Sequence, residues 1–265
     1  MKKWWLIIGI VLLSACEEAV DWQLKRGELP PLVVEGWLTN ELKRQRIKLS
    51  KPKTSLNGVQ FNVSGAQVTV FDGDTAIQFI EEPEGSGIYL SDTLQAVVGK
   101  EYQLRIDYND EVFTAETSMV PVSPLLPLNF IPNEESQDFF YIKEVASDQP
   151  AMEELLLDWS SIFEEEPGPE NTARLFFYVL EASDVNQLFP PRSERVYFPR
   201  GTRVQRIKYS LNVEQQDFIR SLLMETNWRG GVFDVQKNNV ITNISGGAVG
   251  FFAASSVIKE TVIVE

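Results

Sequence analysis

The sequence predicts a mainly β protein, with an antiparallel β-sandwich followed by a second β-rich domain that carries one short helix. Seven short runs of alternating apolar and polar residues lie between positions 32 and 117, separated by turn residues. A proline-rich break follows at 119–135, and only one later segment has a helical period. With 265 residues, 43% of them hydrophobic and 11% aromatic, the chain has the composition of a globular protein of one or two domains.

The runs of the first predicted domain, 32–120, are typical of strands joined by tight turns. Asp72-Gly73-Asp74 separates two of these runs and Asn109-Asp110 separates two others, and both sequences favour hairpin turns. The close spacing of the runs, with no helical period between them, favours an antiparallel sandwich. The predicted strands are 32–38, 45–50, 67–71, 76–80, 87–91, 101–108 and 111–117.

A linker is predicted at 121–135, because four prolines between positions 121 and 132 exclude a central strand or a helix interior. The second predicted domain, 136–265, contains further strand patterns. The last residues alternate well enough to form an integral strand rather than a loose tail. The predicted strands here are 154–160, 173–182, 202–211, 232–236 and 239–245, followed by a long β run over 247–265.

One segment of the second domain predicts a helix, from Val213 to Met224. Asn212 is placed to cap its first turn, and Gln215 completes a capping box three residues later. Val213, Phe218, Ile219, Leu222 and Leu223 would line one face, which favours core packing over a partner surface.

The N-terminus predicts an exported protein. Lys2 and Lys3 precede ten apolar residues, a stretch shorter than the roughly 17–25 residues that span a bilayer, so 1–15 is interpreted as a cleaved signal peptide. The sequence Leu13-Ser14-Ala15-Cys16 resembles a bacterial lipobox, in which the cysteine is acylated and becomes the new N-terminus. We therefore predict lipidation at Cys16 and an acylated tether over 16–31. The alternative is an ordinary secretory signal with a cysteine near its cleavage site.

The composition excludes several kinds of chemistry. The chain has no histidine, which excludes Ser-His-Asp and Cys-His catalysis, and its single cysteine excludes multi-cysteine zinc and iron–sulfur sites. A net charge of −14 argues against nucleic-acid binding. No cofactor or metal site is predicted.

Two segments concentrate positive charge in this acidic chain. Residues 43–53 carry six basic side chains and no acidic one, and 192–208 carry six basic side chains and one acidic one. These segments predict a contact with an acidic partner or with lipid phosphates, through bidentate arginine hydrogen bonds. The alternative is charge balance or a solvated edge strand. The candidate residues are Arg44, Arg46, Lys48, Arg200, Arg203 and Arg206.

Other motifs have plainer explanations. Asp72-Gly73-Asp74 lacks the further ligands of a calcium loop and fits a hairpin turn. The carboxylate clusters at 81–84 and 164–166 would support a hydrolase only if two of them met in a cleft, and a solvated charge run is the alternative. Thr75 and Thr93 each follow an aspartate in a short sequence that resembles the Bacteroidota O-glycosylation motif.

The order of several short motifs resembles one known family. Residues 31–38 (PLVVEGWL), 63–70 (VSGAQVTV), 99–104 (GKEYQL) and 242–253 (TNISGGAVGFFA) are similar to the Bacteroidota lipoprotein family known as domain of unknown function 4249. The resemblance implies an outer-membrane lipoprotein, often encoded beside TonB-dependent transporters of the starch-utilisation type. It also implies that the first domain is an immunoglobulin-like or carboxypeptidase-regulatory-like sandwich. No catalytic residues are established for that family, so none are carried over.

These observations lead to a functional expectation. We expect a non-enzymatic lipoprotein in the outer membrane, facing the cell surface or the periplasm, which acts as an accessory subunit of a β-barrel transporter. An acidic run after the lipidated cysteine, Glu17-Glu18, looks like a surface-export signal or is simply part of a solvated tether. The first alternative is direct binding of a glycan or peptide, with Trp37, Trp159 and Trp228 as aromatic platforms. The second alternative is a carboxylate-dependent hydrolase.

Overall fold

The computed structural model describes residues 29–53, 58–164, 166–181, 195–226 and 240–265. The predicted signal peptide, Cys16, most of the tether, the predicted strand 232–236 and Trp228 lie outside these ranges. No helix within them is long and apolar enough to cross a membrane.

The first seven strands match the predicted runs to within a few residues at either end. Their bounds are β1 Val33–Thr39, β2 Lys43–Ser50, β3 Gln67–Asp72, β4 Thr75–Glu81, β5 Ile88–Leu94, β6 Glu101–Tyr108 and β7 Glu111–Ser118. Both predicted hairpin turns are present. Asn109 and Asp110 have φ angles of 51° and 62°, the left-handed conformation that a two-residue hairpin loop requires at both positions.

Later elements form the rest of the molecule. They are β8 Ile131–Pro132, β9 Phe139–Tyr141, β10 Ala151–Asp158, a 3₁₀ turn Ser160–Ile162, β11 Thr172–Val179, β12 Phe198–Pro199, β13 Arg203–Ser210, α1 Val213–Thr226, β14 Val249–Ser255 and β15 Val257–Ile263. The capping box is confirmed, because the Gln215 amide donates to Asn212 Oδ1 at 2.8 Å and the Asn212 amide donates to Gln215 Oε1 at 2.7 Å.

The first unit, formed by β1–β7 and β14, is the predicted β-sandwich. Its eight strands follow the order β14-β1-β2-β5-β4-β3-β6-β7. Strands β4 and β5 share only two residue pairs, Ile80 with Leu90 and Glu81 with Tyr89, so the sheet divides there into two layers. One continuous apolar core lies between the layers and draws side chains from every strand of the unit.

Strand β14 differs from the antiparallel prediction. It comes from the C-terminal part of the chain, yet it pairs with β1 in parallel, with Val33 beside Val249 and Thr39 beside Ser255. Gly250 makes this close approach possible, since its φ is +103° and a Cβ atom there would overlap the carbonyl oxygen of Val34. The long run over 247–265 is therefore two strands in two different sheets, because only β15 joins the second unit.

The second unit, formed by β8–β13, α1 and β15, contains two smaller sheets. Four strands follow the order β11-β10-β13-β15, and the three short strands follow β12-β9-β8. The segment predicted as a linker is part of this unit. Leu128 and Phe130 pack against its core, and Pro132 lies in the edge strand β8, where its missing N–H costs no ladder hydrogen bond.

Candidate binding groove

The predicted basic row on β2 lies on one exposed face of the strand. Arg44, Arg46 and Lys48 alternate with the buried residues Gln45 and Ile47, as the two-residue period of a strand requires. Two of these three basic side chains, Arg44 and Lys48, form ion pairs within the protein. Arg44 Nη2 lies 2.5 Å from Glu82 Oε2 and lowers the pKa of that carboxyl, and Lys48 Nζ lies 3.1 Å from Glu35 Oε1.

Arg46 is the exception in this row. Its guanidinium makes no hydrogen bond or ion pair with any residue of the ranges given above. It lies opposite Trp37 of β1 in the antiparallel register, so the two residues are cross-strand neighbours on the outer face of the sheet.

The second predicted basic segment divides into exposed and buried residues. Arg200 is exposed, with its guanidinium 5.3 Å from the centroid of the Phe140 ring. Arg203 is exposed near Asp158. Hydrogen bonds from Ser160 lower the pKa of the Asp158 carboxyl, and Arg203 lowers it further. These two arginines are therefore accessible, but the structure does not bring them to the row on β2.

The prediction for Arg206 is wrong, because this residue is fully buried. Its guanidinium pairs with Glu153 and Glu260 and donates to the backbone carbonyl of Leu126, so it is not available to an outside ligand. The physical reason is spacing. Arg203 and Arg206 are three positions apart on one strand, which places them on opposite faces of the sheet.

The two threonines with a glycosylation-like motif are both exposed. Thr75 begins β4 directly after the Gly73 turn, and Thr93 lies in β5 opposite Arg44. Both hydroxyl groups are accessible, and their modification stays a prediction.

A groove of about 420 Å³ lies where the outer face of the first unit meets α1. Glu35 and Trp37 point outward from β1, and Phe251 projects from β14 at the level of Glu35. Helix α1 contributes Phe218, whose ring stacks on Phe251 with centroids 4.6 Å apart. Arg46 completes the lining from β2. The hairpin of β1 and β2 and two segments far from it in the sequence, α1 and β14, therefore build one cleft lined by aromatic side chains.

Packing beneath the groove fixes its main aromatic wall. Trp37 meets Tyr209 of β13 edge to face, with ring centroids 5.9 Å apart. Trp37 also packs against the small apolar cluster that includes Leu211, Ile219 and Leu223. Because these partners belong to the second unit, the orientation of the indole ring depends on how the two units pack together.

The electrostatics of the groove favour an anionic group beside an apolar one. Glu35 forms an ion pair with Lys48, and no acidic side chain of the described residues pairs with Arg46. A guanidinium next to aromatic faces suits a carboxylate or phosphate attached to a ring or apolar side chain. The arrangement can bind such a group. Within the ranges given above, no cluster of three or more Asp, Glu, His or Cys residues could hold a metal ion.

A larger depression of about 560 Å³ lies on the outer face of the second unit, but its charges are mutually balanced. Arg174 pairs with Glu154 there, and Arg203 lies near Asp158. The groove at Arg46 is therefore the stronger candidate for a ligand or partner.

Comparison with protein families adds a further observation. A family model described as domain of unknown function (DUF4249) matches residues 17–261, which is nearly the whole chain. The chain belongs to the DUF4249 family. No curated protein matches it.

In this DUF4249 chain, sequence reasoning found part of the groove and missed the rest. The direct-binding alternative predicts Trp37 as an aromatic platform, the basic row predicts Arg46 as a contact residue, and both line the groove. The helical pattern predicts only core packing for Phe218, and the strand pattern predicts no site role for Phe251. The alternation that places Trp37 and Glu35 on the same outward face of β1 was an available signal, because tryptophan is enriched at interfaces. Trp159 packs against the core of the second unit.

Proposed function

We propose that this DUF4249 protein is a non-enzymatic lipoprotein, held by Cys16 in the outer membrane and exposed mainly at the cell surface. In this proposal it is an accessory subunit of an outer-membrane complex with a TonB-dependent transporter of the starch-utilisation type. The lipobox-like sequence supports the anchor, and the resemblance described above supports the class of partner. The groove at Trp37 and Arg46 supports a direct contact with a segment of the partner protein.

The groove is the observation that carries the proposal. Tryptophan and arginine are the residue types most enriched in binding hot spots, and here Trp37 and Arg46 stand side by side with the arginine unpaired. A partner loop that places an acidic residue next to an aromatic or aliphatic side chain would satisfy both. The carboxylate would pair with Arg46, and the apolar side chain would cover the half-exposed rings of Trp37 and Phe218.

The groove is suited to recognition because its walls are held from both units. Asn212 donates to the carbonyl of Ser118 at 3.0 Å, and Gln215 donates to the carbonyl of Ala254 at 3.3 Å, which ties α1 to the first unit. Phe218 on α1 therefore keeps its position relative to Trp37. A preformed site loses less conformational entropy when a partner binds.

Affinity purification from gently solubilised outer membranes tests the proposal. Wild-type protein should recover a stoichiometric β-barrel protein, identified by mass spectrometry. Arg46→Gln should reduce that recovery by roughly thirtyfold if the arginine is a hot spot worth about 2 kcal/mol. Arg105→Gln is the matched control, because Arg105 is an exposed strand arginine on β6 that pairs with Asp107 and is not among the predicted contact residues. Recovery of the lipoprotein alone would contradict the proposal.

Direct ligand capture is the second candidate, and the size of the groove favours it. A volume of about 420 Å³ lies within the range of about 300–1,000 Å³ that is usual for small-molecule sites. A glycan or peptide fragment with a carboxylate would suit the same residues. Tryptophan fluorescence across a panel of acidic oligosaccharides and peptides separates the two candidates, since a response abolished in both Trp37→Phe and Arg46→Gln would favour direct capture.

A further inference from the structure

Three large apolar side chains are exposed at the end of the first unit where the chain enters. Leu29, Val59 and Phe61 keep 60%, 76% and 66% of their surface accessible. Isolated exposed apolar residues are ordinary, but a cluster at one place calls for an explanation.

Lys51 hydrogen-bonds to both of the chain segments that carry these three residues. Its backbone amide donates to the carbonyl of Phe61 at 2.8 Å, and its side-chain amine donates to the carbonyl of Pro31 at 2.7 Å. Leu29 lies two residues before Pro31, and Val59 lies two residues before Phe61. The amine is also 5.0 Å from the centroid of the Tyr108 ring. One lysine therefore joins the incoming chain to the segment that carries Val59 and Phe61.

The backbone around Phe61 is fixed. Asn62 forms a β-bridge with Ser50, and the Gln60 side chain donates to the Ser50 hydroxyl at 2.8 Å. Val63, the next residue, is buried in the core of the sandwich. The Phe61 ring is thus presented outward from an ordered extended segment.

The position of this cluster relates it to the proposed lipid anchor. Cys16 is 13 residues before Leu29, and a chain of that length reaches about 45 Å at most when fully extended. The second unit continues from the opposite end of the first, because β14 runs parallel to β1 and leads into β15 beyond Thr39. The tether therefore joins the first unit at the end with Leu29 and Phe61, which is the end opposite to the second unit.

The charges around the cluster have both signs. Lys51 and the exposed Lys53 lie on one side, while Asn62 donates to the carbonyl of Gly85 in a turn that also carries the exposed Glu84. Exposed apolar side chains with lysines close by in the sequence fit the boundary between headgroups and acyl chains. The mixture of signs suits zwitterionic headgroups rather than a strongly anionic surface.

We propose that Leu29, Val59 and Phe61, together with Lys51, form a membrane-contacting patch that rests in the headgroup region of the bilayer. The inference rests on the lipid anchor of the proposed function. The anchor holds the protein close to the bilayer, and the patch orients it, so that the first unit faces the lipid and the second unit faces away.

A site-specific probe tests this orientation. Cys16 is the only cysteine, and acylation occupies it, so one introduced cysteine can be labelled alone in the lipidated protein. In the Phe61→Cys variant the new cysteine is labelled with an environment-sensitive fluorophore. The labelled lipoprotein is then reconstituted in vesicles of phosphatidylcholine and phosphatidylethanolamine that contain a lipid with a nitroxide quencher in its headgroup region. Leu42→Cys is the control, because Leu42 is 70% exposed in the hairpin at the opposite end of β1.

Quenching at position 61 that exceeds quenching at position 42 several-fold supports the patch. Val59→Cys, labelled in the same way, should be quenched as strongly as Phe61→Cys. Agreement between the two positions shows that the quenching is not a local effect of one substitution. Equal quenching at both ends of an acylated protein overturns the patch and leaves the anchor standing. Mass spectrometry that finds Cys16 unmodified in the membrane-purified protein overturns the anchor and the patch together.

Discussion

The Nε atom of Arg206 lies 2.5 Å from the Oε2 atom of Glu153, and both side chains are completely buried. The same guanidinium contacts the Leu126 carbonyl and lies 3.0 Å from Glu260 Oε1 on β15. Lys208, two residues along β13, donates to the Ser123 hydroxyl and the Pro124 carbonyl. Two buried cations on one strand therefore hold residues 123–126 of the proline-rich segment against β13 of the second unit.

Removing Arg206 should destabilise the protein strongly. In Arg206→Met the carboxylate of Glu153 stays buried, with only Lys208 Nζ at 3.9 Å to compensate it. Breaking a buried pair in this way lowers the free energy of unfolding by about 3–5 kcal/mol. Urea denaturation measures the change.

Two further variants make this expectation specific. Arg203→Met, on the exposed face of the same strand, should change stability by no more than about 0.5 kcal/mol. Glu153→Met combined with Arg206→Met should recover part of the loss, because the carboxylate that remains without Arg206, that of Glu260, is partly exposed to solvent rather than buried. The assignment is wrong if Arg206→Met proves as mild as Arg203→Met.

Asn243 should stabilise the open edge of the sandwich. Its Nδ2 atom donates to the carbonyls of Glu116 and Phe252, and its Oδ1 atom accepts from the Phe252 amide at 3.0 Å. One side chain therefore joins β7 to β14. Asn243→Ala should cost about 1–3 kcal/mol and accelerate hydrogen exchange of the Phe252 amide. Asn133→Ala, which removes only an exposed local bond to the Glu135 amide, is the control, and equal effects would contradict this role.

The helix cap should affect both stability and the groove. Asn212→Ala removes the cap of α1 together with the bonds to Thr117 and Ser118, so a loss of about 1–2 kcal/mol is expected. Because α1 carries Phe218, partner or ligand affinity should fall as well. Glu214→Ala, in the same first turn, leaves the cap intact. If it weakened binding as much as Asn212→Ala, the link between the cap and the groove would fail.

Alkaline pH should destabilise the protein through Tyr209. Burial raises the pKa of Tyr209 from 10.0 to about 12, and the nearby carboxylate of Glu154 adds to the shift. The folded state therefore resists ionisation of this phenol. Its contribution to stability is fully present below pH 10 and is lost as the pH rises to about 12.

Tyr209→Phe provides the measurement. Unfolding by urea at intervals above about pH 9 should show a smaller alkaline decline in the variant than in the wild type. Burial also raises the pKa of Tyr89, Tyr102 and Tyr178, so part of the decline remains. An unchanged decline in Tyr209→Phe would show that this phenol does not titrate as described. The variant also loses a 3.3 Å hydrogen bond to Glu154, which lowers its free energy of unfolding at every pH. The alkaline decline of each protein is therefore measured relative to its own stability near pH 8.

Local pattern was enough to predict most secondary structure. The seven strands of the first unit, both hairpin turns and the Asn212–Gln215 capping box depend on neighbouring residues, and the structure contains all of them. The alternation of Arg44, Arg46 and Lys48 on one exposed face was also foreseeable, because strand period depends on sequence spacing alone.

The amino-acid sequence by itself determined the mainly β class, the approximate positions of α1 and of the longer strands, and the membership of the DUF4249 family. The strand predicted at 239–245 is wrong, because its described residues, 240–245, form no strand, and the Asn243 side chain there bonds to the backbone of β7 and β14. The short strands β8, β9 and β12 are not predicted by the sequence pattern. Only the tertiary structure decided that β14 pairs with β1, that Arg206 is buried against Glu153, and that Phe218 and Phe251 stack beside Trp37. The reason is physical. The pattern of a strand shows which of its faces is apolar. Which strand lies beside it in the sheet, and which residue pairs with a charged side chain on it, depend on contacts between residues that are distant along the chain.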